Sequence, residues 1–139
     1  MDLYDWLVFL HVLSAFVAAG ALTALWALIF GSRSASPILA PDSAIGFGRV
    51  GGILVGAGMM GALVFGIWLA IDVDGYELWD AWILASLVLW ALSVWAGTAA
   101  GKAFAGDPVG GRRAGIRFQA LNSVGVLVIL VLMIWKPGA

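Results

Sequence analysis

Residues 50–100 read VGGILVGAGMMGALVFGIWLAIDVDGYELWDAWILASLVLWALSVWAGTAA and contain the pattern that decides the fold. Two long apolar runs flank the segment IDVDGYELWD at residues 71–80, which carries four acidic side chains and no lysine or arginine. About 20 consecutive apolar residues are enough for an α-helix to cross a bilayer. The stretch therefore predicts two transmembrane helices joined by a short acidic connection.

The apolar pattern repeats on both sides of this stretch. Further runs at residues 6–30 and 118–135 bring the predicted spans to four, with spans two and three at residues 50–71 and 78–100. The 139-residue chain is 63% hydrophobic and only 11% charged, whereas soluble domains have about 25% charged residues. We expect one all-α domain over residues 1–139, a polytopic four-helix transmembrane bundle.

The charges between the spans predict the orientation, because lysine and arginine are retained on the cytoplasmic side. Six of the seven cations lie in the connections after spans one and three: Arg33, Arg49, Lys102, Arg112, Arg113 and Arg117. Both connections are expected in the cytoplasm, and the acidic connection and both termini outside (N-out/C-out). The Ala-, Gly- and Val-rich composition is typical of a bacterium with GC-rich DNA, so the membrane is expected to be the bacterial plasma membrane.

The two basic connections are predicted to be mainly non-helical. Residues 31–49 contain Pro37 and Pro41, which indicate a turn region with a short interfacial helix at residues 38–47. Residues 101–117 read GKAFAGDPVGGRRAGIR and form a glycine-rich basic loop that would attract anionic headgroups. This loop lacks the GxxxxGK[ST] pattern, and no strand precedes it, so a nucleotide site is not indicated.

Small residues at four-residue spacing predict where the helices pack. Helices in lipid gain no hydrophobic advantage from association, so they pair where small side chains let the backbones approach. The predicted packing positions are Gly48, Gly52, Gly56, Gly58, Gly66, Ser93, Gly97 and Gly101. Packing within one bundle is the main interpretation, and contact between copies of the chain is the alternative.

His11 is the one ionisable side chain expected within the membrane, and such groups are functional candidates. Its imidazole could be satisfied by Ser14, by Ser86 or by a backbone carbonyl. Alternatively, His11 and Met133, at a similar depth, could ligate a haem b iron or copper. In span four, Asn122 is expected to bridge helices through an amide hydrogen bond.

Several classes of function are excluded or disfavoured. The chain has no cysteine, so it has no disulfide, thiolate nucleophile or zinc–thiolate site. No basic patch accompanies a nucleic-acid-binding motif, so nucleic acid is not an expected partner. No carboxylate lies deep within a predicted span, which argues against a proton-coupled exporter driven by aspartate or glutamate. No catalytic constellation is present, and we expect no enzyme.

The first span carries a family resemblance. LVFLHVLSAFVAAGA at residues 7–21 resembles the first helix of a family of small bacterial four-span membrane proteins, which is itself loosely similar to the copper-resistance D proteins. In these groups a pattern of the form LHVLAA…G recurs, and here His11 matches the histidine and Gly20 the later glycine. The length and the four spans also fit. The resemblance implies a multi-pass membrane protein of the same layout.

Three functional hypotheses follow. The first is a non-catalytic accessory or scaffold subunit that packs as a homo-oligomer or against a larger, respiratory type of membrane complex. The second is a haem b- or copper-binding module centred on His11, with Met133 or a partner completing the site. The third is a small transporter, which would need a cavity reaching His11 or Asn122.

Overall fold

The computed structural model describes residues 2–32, 41–72, 79–106 and 110–135, and it confirms the all-α prediction. These residues form four helices, α1 (Leu3–Gly31), α2 (Pro41–Asp72), α3 (Ala81–Ala105) and α4 (Gly110–Trp135), and no strand. Each helix is long and apolar enough to cross a membrane. Large apolar side chains cover the outside, for example Phe16 (77% exposed) and Ile134 (85% exposed), as expected of surfaces that face lipid.

The helices extend further on the basic side than hydropathy predicts. The prediction of a turn region with a separate interfacial helix is wrong for residues 41–49, which are helical and continuous with span two. Residues 33–40 lie outside the described part of the chain. Proline suits the first turn of a helix because its missing N–H would have no partner there. The apolar run therefore marks the membrane core, and the helix continues beyond it.

The second basic connection is also more helical than predicted. α3 continues to Ala105 and α4 begins at Gly110, so most of the predicted loop at residues 101–117 belongs to the two helices. Arg112 lies near the start of α4, and its Nη2 donates to the Ile29 carbonyl at 3.3 Å and to Ser32 Oγ at 3.2 Å. The Arg112 side chain thus stabilises the carbonyl end of α1, where a positive charge is favourable.

The bundle consists of two tightly packed helical hairpins, α1–α2 and α3–α4, which contact each other sparsely. α2 lies beside α3 and α1 beside α4. Two indole N–H groups join the hairpins: Trp26 Nε1 donates to Ser123 Oγ at 2.9 Å, and Trp90 Nε1 donates to the Met59 carbonyl at 2.8 Å. Because lipid cannot supply hydrogen bonds, these contacts hold the hairpins more specifically than apolar packing does.

Glycines of α2 bring α1 into backbone contact. A Cβ at Gly58 would lie 2.6 Å from the Ala18 nitrogen and 2.7 Å from the Ser14 carbonyl oxygen, so no side chain fits there. Gly61 meets the Ser14 side chain, and Gly51 meets Leu25. Positions 51 and 58 are seven apart, which keeps them on one face of a helix with 3.6 residues per turn.

Four of the eight predicted packing positions lie outside these close contacts. A Cβ at Gly48, Gly52, Gly56 or Gly101 would meet no heavy atom within 4 Å. The physical reason is the helix face: at about 100° per residue, Gly52 and Gly56 lie about 100° and about 140° around α2 from Gly51, which meets α1. The close contacts use Gly58 and Gly66 in α2. In the α3–α4 interface, Ser93 packs against Gly125, and Gly97 against the Asn122 amide.

A matched pair of substitutions tests the α1–α2 contact. Gly58→Leu should lower the free energy of unfolding by about 3 kcal/mol, the upper end of overpacking costs, because the new side chain meets backbone atoms of α1. Gly48→Leu is the control, since both changes raise helix propensity equally and position 48 is open. Thermal unfolding in mild detergent measures both variants. Equal destabilisation by the two variants would contradict the assigned interface.

Candidate functional site

His11 is fixed in orientation by the neighbouring helix. Its Nδ1 lies 2.9 Å from the carbonyl oxygen of Ala62 in α2. A carbonyl oxygen can only accept, so Nδ1 carries the hydrogen and donates it. In the neutral ring Nε2 then holds a lone pair, and it has no hydrogen-bond partner among the described residues. A histidine that donates through one nitrogen to a backbone carbonyl is oriented to ligate through the other.

Gly66 makes room for this arrangement. A Cβ at position 66 would lie 2.9 Å from His11 Cε1 and 3.2 Å from Nδ1, so the imidazole edge packs directly on the α2 backbone. Gly66 was predicted to pack helices, and it does so by receiving a side chain rather than a second backbone. A hydrogen bond from His11 to a backbone carbonyl is one of the alternatives that the sequence leaves open, and the structure identifies the acceptor as Ala62.

His11 lines a cavity of about 490 Å³ to which all four helices contribute. It lies towards the end of the bundle that carries Asp2, Asp72 and Asp80, and it is called the outer cavity after the orientation expected from the sequence. Its walls are mainly aliphatic and aromatic, with Trp82 and Trp90 from α3 and Met59 from α2. Met133 of α4 lines the same cavity, so the structure brings together the two residues predicted as ligands. A volume of this order, with apolar walls and few polar groups, is typical of sites for organic ligands and cofactors.

Ser14 and Ser86 do not bond to His11. Ser14 Oγ donates to the Leu10 carbonyl at 2.7 Å, and Ser86 Oγ donates to the Trp82 carbonyl at 2.8 Å. Both hydroxyls bond to the carbonyl four residues earlier, the usual solution for serine within an apolar helix. Ser86 nevertheless lines the outer cavity. Ser86 and His11 are thus two of the residues with polar side-chain groups that line this cavity.

A layer of apolar side chains borders the outer cavity on the side towards the basic end of the bundle. Met59 and Val126 belong to the buried core cluster, and Trp90 packs against that cluster. The indole bond from Trp90 to the Met59 carbonyl fixes the ring in this layer. Met59 also borders a second space on the far side, so the layer separates two cavities that follow one another along the bundle.

The second space, hereafter the inner cavity, has a volume of about 270 Å³ and contains Asn122 in its wall. Ser93 and Gln119 also line it. The three residues are 1–4% exposed, yet Ser93 Oγ, Gln119 Nε2 and Asn122 Oδ1 have no hydrogen-bond partner among the described residues. Each unpaired buried group costs about 1–3 kcal/mol. The amide of Asn122 lies against Gly97 of α3, and within the described residues it makes no hydrogen bond to another helix.

The residues of the outer cavity suit the binding of a ligand. Within the described ranges, no three histidine, cysteine, aspartate or glutamate side chains come together as a metal ion would require. A single imidazole in an apolar cavity can instead ligate the metal of a large organic cofactor or accept a hydrogen bond from a ligand. No family model, curated protein or solved structure matches this chain.

Proposed function

We propose that this protein is a small, non-catalytic subunit of the bacterial plasma membrane that binds a cofactor-sized apolar ligand in the outer cavity through His11. Haem b is the ligand that suits the site best. The observation that carries the proposal is the hydrogen bond from Nδ1 to the Ala62 carbonyl, which leaves Nε2 as the ring nitrogen available to a ligand. His11 also lines a cavity of suitable volume, about 490 Å³.

Haem fits this site better than a bare copper ion does. A copper ion needs several donors that converge within bonding distance, whereas the outer cavity is wide and mainly apolar. A porphyrin would fill such a space through apolar contact, and Trp82 and Trp90 offer aromatic faces to it. Met133 lines the same cavity and would be the second residue to hold the haem, since histidine with methionine is an established haem pair.

The distribution of charged residues supports the proposed orientation in the membrane. Arg49, Lys102 and the arginines of α4 lie towards one end of the bundle, whereas Asp2, Asp72 and Asp80 lie towards the other. This separation supports a cytoplasmic position for the basic end and an outer position for both termini. We also propose that the chain is distantly related to the copper-resistance D proteins, because the pattern around His11 resembles theirs.

We also propose that the protein assembles with a second copy of itself or with a partner protein. The chain contains one histidine, so a bis-histidine haem would require a second copy or a partner protein. A Cβ at Gly48 would meet no heavy atom within 4 Å, which leaves room for such contact. A native mass measured in mild detergent distinguishes a homo-oligomer from a monomeric subunit that needs a larger complex.

The visible absorption spectrum tests the haem proposal. Protein purified from cells supplied with haem precursor, or titrated with haemin, should show a Soret band at a stoichiometry of one haem per His11 site. His11→Gln should abolish this band, because glutamine can still donate to Ala62 but lacks the ligating nitrogen. Metal analysis of the same samples measures copper.

Methionine variants supply the matched control for the axial pair. Met133→Leu should change the ligand field and hence the Soret position, whereas Met60→Leu should not, because Met60 is half exposed and lies outside the outer cavity. Absence of haem from wild-type protein after titration, or an unchanged band in His11→Gln, would refute this function. Stoichiometric copper in protein that contains no haem would instead indicate that the protein binds copper.

The orientation is tested separately by labelling single introduced cysteines, because the chain has no native cysteine that would also react. Asp74→Cys should react from outside intact spheroplasts with an impermeant maleimide, because the acidic connection is proposed to be external. Gly110→Cys should react only after the membrane is opened. External labelling of Gly110→Cys would reverse the proposed orientation without affecting the haem test.

A further inference from the structure

We infer that Arg113 and Arg117 form a binding site for the phosphate of an anionic phospholipid, whose hydrocarbon chains lie along an exposed apolar stripe of α4. Both arginines lie near the start of α4, at the basic end of the bundle. The site shares no residue with the outer cavity, so it is independent of the proposed haem site.

The three arginines of α4 fall into two groups. Arg112 has its partners within the chain, since its Nη2 donates to the Ile29 carbonyl and to Ser32 Oγ. Arg113 and Arg117 are exposed, and within the described residues neither guanidinium takes part in a hydrogen bond or an ion pair. Two cations therefore remain available to an anion from outside the chain.

Arg113 and Arg117 lie one turn apart on the same face of α4. At about 100° and about 1.5 Å per residue, the two positions differ by about 40° around the helix and about 6 Å along it. Two guanidinium groups with this spacing are within reach of one phosphate group. Arginine is also the cation whose planar donors match phosphate oxygens in pairs. The pair is therefore suited to a phosphate-type anion.

An apolar stripe continues along the same face towards the other end of the bundle. Its members follow Arg117 at helical spacing and are 39–56% exposed: Leu121, Val124, Val128 and Val131. From Arg117 to Val131 the stripe is about 21 Å long. The hydrocarbon of one leaflet is about 15 Å deep, half of the core of the bilayer. The stripe is thus long enough to contact a lipid chain along its whole length.

Charge and apolar surface together identify the ligand. Free phosphate would match the arginines but would leave the stripe without a partner, and a neutral lipid would match the stripe but not the two cations. An anionic phospholipid supplies both parts, because its phosphate lies at the headgroup level and its chains lie in the hydrocarbon region. A defined site differs from the general attraction of a basic surface for anionic lipid, because it holds one lipid on two particular residues.

Native mass spectrometry in mild detergent tests the site, with phosphatidylglycerol as the probe. The wild-type protein should show a saturable adduct of one phosphatidylglycerol. Phosphatidylcholine with the same chains is the control, and it should bind more weakly because its choline offsets the charge of the phosphate. Inorganic phosphate should not displace the bound lipid, because it has no chains to contact the stripe.

Glutamine variants identify the residues. Arg113→Gln and Arg117→Gln should each weaken the affinity for phosphatidylglycerol by roughly fivefold, the contribution of about one interfacial cation. Either variant suffices if the other does not fold. Arg49→Gln is the matched control, because it removes the same charge from the basic end but lies on α2, which has no contact with α4 among the described residues. Its affinity for phosphatidylglycerol should equal that of the wild type.

Four results would overturn the inference. The absence of a saturable adduct would show that there is no site, and equal losses in Arg49→Gln and the two α4 variants would show diffuse attraction. Displacement of the lipid by inorganic phosphate would show a site for anions only. A dimer mass without bound lipid would show that the stripe contacts a second copy of the chain.

The lipid site and the haem site are tested separately. His11→Gln should bind phosphatidylglycerol as tightly as the wild type does, whether or not the wild type binds haem, because His11 lies in the wall of the outer cavity. In detergent both ends of the bundle are accessible, so the result does not depend on the orientation of the protein in the membrane.

Discussion

The structure depends on the close approach of α1 and α2, which glycines of α2 permit. A side chain at Gly58 would collide with the backbone of α1, so the two helices are in backbone contact there. In lipid, such contact replaces the hydrophobic effect as the source of helix association. Two turns further along, the same closeness lets the His11 ring lie on Gly66 and donate to the Ala62 carbonyl. Helix packing and the candidate site therefore have one cause.

The sparse contact between the hairpins accounts for the two cavities. Each hairpin is packed along its length, whereas the hairpins meet mainly through the apolar layer around Met59 and Val126 and through indole and guanidinium hydrogen bonds. On either side of that layer the space between the hairpins stays open. The outer half has one imidazole in the wall of an apolar space, and the inner half has uncharged polar residues in the wall of a smaller one.

Hydropathy predicts the number, class and centres of the helices because the bilayer imposes length and apolar character on every span. It misplaces the basic-side ends, since Arg49 and Arg112 lie on helices that continue beyond the apolar core. Glycine spacing identifies Gly58 and Gly66 but also includes Gly48, Gly52 and Gly56, because spacing does not fix which face meets a neighbour. His11 and Met133 are predictable as candidates from residue type and depth. The Ala62 acceptor leaves no signature in its side chain, and that Gln119 and Ser93 line one cavity can be seen only in the fold.

The tautomer of His11 is the most direct measurement of the central claim, that α2 holds Nδ1 and leaves Nε2 to a ligand. Because the chain has one histidine, ¹⁵N-histidine labelling gives a single pair of ring signals that needs no assignment. In ligand-free protein in lipid, Nδ1 should show the shift of a protonated ring nitrogen and Nε2 that of an unprotonated one. The reverse pattern, or a pair of signals averaged between both tautomers, would mean that the Ala62 carbonyl does not orient the ring.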